Sequence, residues 1–148
     1  MKNLLLPPVL WFATVGLMLM LHFNQPLALW LPRPYNWIGL LLVVVGIGMA
    51  QWHARHFRRI GTNINTFGEP GELTYEGLFR RTRNPMYLGM MIAVVGVAVA
   101  LGTVSPLVGP VAFFLLVQFW YVPVEEKAMA EKFGQRYAEY REAVPRWW

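Results

Sequence analysis

The residues able to do chemistry fall in three stretches of this 148-residue chain: a polar central loop, the segment 77–89, and Glu125-Glu126 with the tail that follows. Glu125 and Glu126 directly follow a long apolar run, and carboxylates are costly beside lipid unless a cation, a hydrogen-bond donor or water meets them. A helix start explains one of them, since its dipole favours glutamate. The second leaves room for a ligand role. Asn84-Pro85 opens another apolar run. Asparagine suits an N-cap and proline the first helical position, which is explanation enough, yet free N–H groups at a helix start also suit a carboxylate or other anion. Tyr87 shares the helix face of Asn84, as a ligand contact or as an interfacial aromatic. His53 and His56 stand three apart, but no acidic or third histidine ligand matches their spacing, so no metal site is expected. Arg55, Arg58 and Arg59 read as headgroup anchors. With no cysteine, disulfides and thiolate chemistry are excluded.

The elements that must position these residues are apolar helices. The chain is 56% hydrophobic and 14% charged, against about 25% charged in a soluble domain, and a domain this small has too little interior for so many apolar side chains. Four apolar runs stand out: 4–23, 37–52, 85–101 and 105–122. The first has the roughly 20 residues that cross a hydrocarbon core. Gly39, Gly46 and Gly48 in the second permit close helix packing. Only about three residues separate the third from the fourth, which predicts an antiparallel hairpin, and Pro110 is a candidate kink in the fourth. Between the second and third runs, 53–84 reads as a long loop with one helical turn. After Pro123, the spacing of Phe133, Tyr137, Tyr140 and Val144 predicts an amphipathic helix lying on the membrane or covering a site.

The expected fold is therefore an all-α membrane protein: one domain over 1–148, about four transmembrane helices and a cytosolic amphipathic C-terminal helix. Of the 13 Lys and Arg residues, Arg33 alone lies in the first connection and none in the turn between the third and fourth runs. The positive-inside rule then places both termini and the central loop in the cytoplasm. The net charge of +5 flanks apolar runs, so it points to anionic headgroups rather than nucleic acid. Lys2 alone precedes the first run, and no small-residue cleavage pattern follows it, so a span is expected there rather than a leader.

The segment Gly77-Leu78-Phe79-Arg80-Arg81-Thr82-Arg83-Asn84-Pro85-Met86-Tyr87-Leu88-Gly89 resembles the signature of the integral membrane methyltransferase superfamily, which includes isoprenylcysteine carboxyl methyltransferases and phospholipid N-methyltransferases. Glu125-Glu126, Phe133-Gly134, Tyr137, Tyr140 and Val144-Pro145-Arg146 resemble its second motif. The resemblance covers residue 61 onwards. It implies S-adenosylmethionine as methyl donor, held at the cytosolic mouth, and a lipidic or small hydrophobic acceptor. By position it implies loop contacts from Glu72, Leu73 and Thr74, packing from Phe79, and contacts from Arg83, Asn84, Pro85, Met86 and Tyr87. Leu88 and Gly89 would form the wall, Glu125 and Glu126 would hold polar groups, and either glutamate is the candidate base should the acceptor be an amine. Asn84 stands where the carboxyl methyltransferases usually have histidine, and Tyr121 where they have an arginine that engages a substrate carboxylate. Tyr121 is then the substrate-side residue, and a lipid amine, thiol or hydroxyl fits at least as well as a prenylcysteine. In a bacterium the inner membrane is the expected location. Two other readings remain: a membrane reductase binding NADPH, with Arg80 and Arg81 for its 2′-phosphate, and a non-catalytic membrane scaffold.

Overall fold

The computed structural model of the chain describes residues 6–59 and 73–148, with the backbone alone at Phe57 and Arg58. Six α-helices carry it: α1 Pro7–Asn24, α2 Ile38–Arg59, α3 Pro85–Leu101, α4 Val108–Leu116, α5 Val122–Phe133 and α6 Gln135–Ala143. Among the described residues, three helical stretches are long and apolar enough to cross a membrane: Pro7–Asn24, Tyr35–His56 and Ser105–Phe133. The apolar helix α3 is shorter, 17 residues, and rises about 26 Å. Leu40, Leu41, Val44, Phe12 and Phe119 all face outward, which in water would be a large uncovered apolar surface.

Helices α2 and α3 run antiparallel with their backbones touching. Gly39 of α2 lies on Gly96 and Ala100 of α3, and Gly46 lies on Gly89 and Ala93. A methyl group placed on Gly89 would come within 2.7 Å of Gly46 O and Ala50 N; on Gly96 it would meet Gly39 O and Val43 N at 2.7 Å. The glycines on each helix are seven residues apart, two turns, so they line one face and let van der Waals contact form without a side chain between. Gly48, expected to belong to this contact, has nothing within 4 Å of such a methyl. Its place on the helix turns it outward.

Helix α2 also continues two turns beyond its apolar run, to Arg59. Apolar periodicity ends near Trp52, but Gln, Ala and Arg keep a helix going once it leaves the apolar layer. The polar loop therefore begins later than residue 53, and among its described residues the helical turn is the 3₁₀ segment Gly77–Arg80.

Helix α1 runs parallel to α3, with the Trp11 indole N–H donating to Met90 O at 3.1 Å near one end and His22 Nδ1 2.8 Å from Thr103 Oγ1 at the other. Met18, Val94, Ala98, Phe113, Val117 and Val122 fill the centre. At the far end, Gly102 takes a left-handed φ of 68° to stop α3. Its carbonyl accepts from Trp30 and Leu31 N–H at 3.0 and 3.2 Å, and Asn36 Nδ2 donates to Ala100 O at 2.7 Å. The first connection is thus strapped onto the α3–α4 turn rather than hanging free.

The last long helix departs most from the sequence expectation. It does not stop at Val122. Helices α4 and α5 are continuous through a wide π-helical turn, Val117–Tyr121, where the Val122 N–H bonds to Val117 O. Pro123 supplies the physical reason: it has no N–H for Phe119 O, and its ring would clash with that carbonyl in a regular helix. The irregularity belongs to Pro123, while Pro110 sits buried in the first turn of α4.

The glycine seam yields a sign test. Gly46→Ala should lower stability in detergent by about 1–3 kcal/mol through overpacking. Gly48→Ala should leave it unchanged or raise it by up to about 1 kcal/mol through helix propensity. Thermal unfolding of both variants checks the contrast.

Candidate functional site

The start of α3, the middle of the α4–α5 helix and the C-terminal tail converge at one end of the bundle. Tyr87 lies on the first turn of α3, buried. Its hydroxyl donates to Glu125 Oε1 at 2.7 Å, and its ring is tilted against Tyr121 at 6.3 Å. Glu126, next along α5, is 12% exposed and turns toward two guanidinium groups. Arg83 Nη1 is 3.0 Å from its Oε1, and Arg146 grips it with two bonds, Nε to Oε1 at 3.1 Å and Nη2 to Oε2 at 2.7 Å. The adjacent acids thus have separate surroundings: one meets a phenol, the other is charge-neutralised and fixed. Neither begins a helix, contrary to the simplest sequence explanation.

Asn84 occupies the N-cap position of α3, but its side chain makes no capping bond. Its Nδ2 donates instead to Arg146 O at 2.9 Å, and its backbone N–H donates to Thr82 Oγ1 at 3.2 Å. Thr82, fully buried, donates its hydroxyl to the same Arg146 carbonyl at 3.0 Å. The opening N–H groups of α3 are therefore not closed by the residue best suited to close them.

The tail is two helices rather than one. Gly134, at φ 49°, ends α5 and starts α6, an angle that disfavours any side chain. The turn folds Tyr137, Tyr140 and Val144 onto Leu73, with Met129 and Phe133 beside them. This is the expected apolar face, and it covers Leu73. The Tyr140 hydroxyl donates to Phe79 O at 2.7 Å. Burial pushes the Tyr140 phenol well above its ordinary pKa, against a smaller lowering by Arg83. Burial, reinforced by Glu126, likewise raises that of Tyr137. Both stay protonated, and so remain donors, across the physiological range.

The other sequence-predicted residues are distributed around this centre. Glu72 lies outside the described residues. Leu73 is buried under the tail, and the half-buried Thr74 accepts from Glu76 N–H at 3.3 Å. Phe79 is buried with the His53 ring edge-on at 5.7 Å. Pro85 is buried and Met86 half-buried; Gly89 faces α2, so helix packing demands its small size. A solvent-open groove of about 400 Å³ runs past Tyr75, Phe79, Arg80, Glu139, Tyr140 and Val144. His53 points back to Met49 O at 2.8 Å, while His56 meets Glu76 at 3.5 Å. Among the described residues no three side chains of metal-ligand type cluster.

Sequence reasoning passed over Arg146 as a side chain, together with Thr82, Gln118 and Trp147. The only signal for Arg146 was its place in the Val-Pro-Arg ending. The Trp147 indole N–H donates to Gln118 Oε1 at 2.7 Å.

Chemically, this end offers a helix start with no side-chain cap, whose dipole suits an anion, a carboxylate bonded to a phenol for a cation or a proton, and aromatic walls. The pairing around Glu126 has its own consequence. Glu126→Ala should leave two cations facing each other and cost about 3 kcal/mol, the low end for a broken buried pair. Denaturation of the purified variant measures it, and a loss under about 1 kcal/mol would show the pair to be solvated.

The phospholipid methyltransferase family model matches residues 35–136. No curated protein and no solved structure matches the chain.

Proposed function

Because the chain belongs to the phospholipid methyltransferase family, we propose that it transfers a methyl group from S-adenosylmethionine to a lipidic or small hydrophobic acceptor at the cytoplasmic membrane face. The observation that carries this reading is the Tyr87–Glu125 bond beside the uncapped start of α3. That donor set suits an amino-acid zwitterion. The start of α3, with Asn84, Pro85, Met86 and Tyr87 around it, would receive its carboxylate, and Glu125 its ammonium or a ribose hydroxyl. Phe79 would pack on the nucleoside, with Glu72, Leu73 and Thr74 along the loop.

When bound, the cofactor supplies a methyl already activated by its sulfonium, so the chain's work is alignment and exclusion of water. Tyr87 fixes the rotamer of Glu125. Tyr121, against Tyr87, faces the acceptor side. An amine acceptor must lose a proton, and of the two candidate bases Glu125 is the better placed, since Glu126 is held by Arg83 and Arg146. Arg83 then serves the site through Glu126. The reductase reading is weaker: Arg80 Nε donates to Tyr75 O at 3.1 Å, and Arg81 lies over the Trp148 ring at 5.7 Å, so both candidate phosphate ligands are engaged. Family membership also disfavours it, and a scaffold would not need the Tyr87–Glu125 pairing.

The positive-inside pattern supports a cytoplasmic site end, with α3 as a fourth, short span. The absence of cysteine allows a clean check. A membrane-impermeant thiol reagent should label Tyr35→Cys in intact cells and Glu139→Cys only after lysis; the reverse pattern would invert the topology.

Purified protein in detergent should bind labelled S-adenosylmethionine saturably. Glu125→Ala and Tyr87→Phe should each weaken binding about tenfold or more, as expected for a charge-assisted hydrogen bond. No saturable binding by the unaltered chain would remove the proposal. Unchanged binding in both variants would move the site elsewhere. Methyl transfer to extracted lipids, resolved by chromatography, identifies the acceptor.

A further inference from the structure

The last residues do not trail away from α6. Val144 is buried, Pro145 O accepts from Arg83 N–H at 3.0 Å, and Arg146 O accepts from both Thr82 and Asn84. The Arg146 guanidinium reaches across to Glu126, and the Trp147 ring lies 5.6 Å from Phe114. The segment is thus a strap that ties the start of α3 to the α4–α5 helix at several points.

We infer that Arg146 is a positioning residue of the site, acting through both its side chain and its carbonyl. Gripping Glu126 with two bonds fixes the rotation of α5 at the residue next to Glu125, which aims Glu125 at Tyr87. Its carbonyl accepts both the Thr82 hydroxyl and the Asn84 side-chain amide, and so ties the first residues of α3 to the tail. A strap that lifted to admit ligand would leave Glu126 with one cation and the fully buried Thr82 without this acceptor. The multi-point attachment therefore marks a brace, not a lid. Its functional consequence rests on the methyl-transfer reading; its structural consequence does not.

The test compares Arg146→Ala, Arg146→Lys, Glu126→Gln and the double variant Glu126→Gln/Arg146→Ala, each well below its melting temperature. Labelled S-adenosylmethionine binding should fall about tenfold or more in Arg146→Ala. The double variant should bind no worse than the poorer single one, because the two residues act as a unit. Arg146→Lys keeps the charge but not the two-pronged grip and should fall in between; it carries the comparison if Arg146→Ala does not fold. Ligand-free amide exchange over residues 85–89 should speed up in the Arg146 variants. Wild-type affinity in the folded Arg146 variants, or independent additive losses, would overturn the inference. If the unaltered chain binds no cofactor, the methyl-transfer reading fails alone, and the exchange measurement decides the brace: unchanged rates over 85–89 would refute it.

Discussion

A carboxylate at the edge of an apolar layer has to be neutralised where it stands, and the organisation of this site follows from how Glu126 meets that demand. Its two cations come from opposite ends of the site sequence. Arg83 precedes α3, and Arg146 lies two residues after the start of the tail's final non-helical segment. One buried charge thereby joins three segments. While Glu126 meets the arginines, the neighbouring Glu125 accepts from the phenol of Tyr87. Identical residue types in adjacent positions thus acquire different work from the turn of a helix alone.

The seam between α2 and α3 gives this site its floor. Backbone-to-backbone contact over Gly39, Gly46, Gly89 and Gly96 leaves little freedom to slide or rotate, since every displacement drives a Cα into a carbonyl. Tyr87 and Asn84 stand at the end of the helix so fixed. The opposite end is pinned by the first connection through Gly102 O and Asn36. A ligand site on a bundle edge gains precision when its supporting helix is clamped at both ends.

Much of this was legible in the sequence, and for identifiable reasons. Long apolar runs, the Asn84-Pro85 start and Gly102 stop of α3, and the four-three-four spacing of Phe133, Tyr137, Tyr140 and Val144 are local signals with direct physical meaning. The features that escaped depend on distant partners. The Asn84 side chain leaves its cap because a carbonyl 62 residues away is available. Glu125 and Glu126 sit mid-helix because Pro123 is absorbed by a widened turn instead of breaking the chain. Gly134 divides the tail through a backbone angle that apolar periodicity does not register. Gly48 differs from Gly46 only in azimuth, which composition cannot express.

The widened turn at Val117–Tyr121 has a consequence for how this helix can vary. An extra residue in one turn advances every later side chain by about 100° relative to an unbroken α-helix. The half that packs on Met18 and the half that bears the acids therefore run in different phase. Each half can keep its own azimuth, so substitutions that repack the bundle interior need not re-aim the polar end.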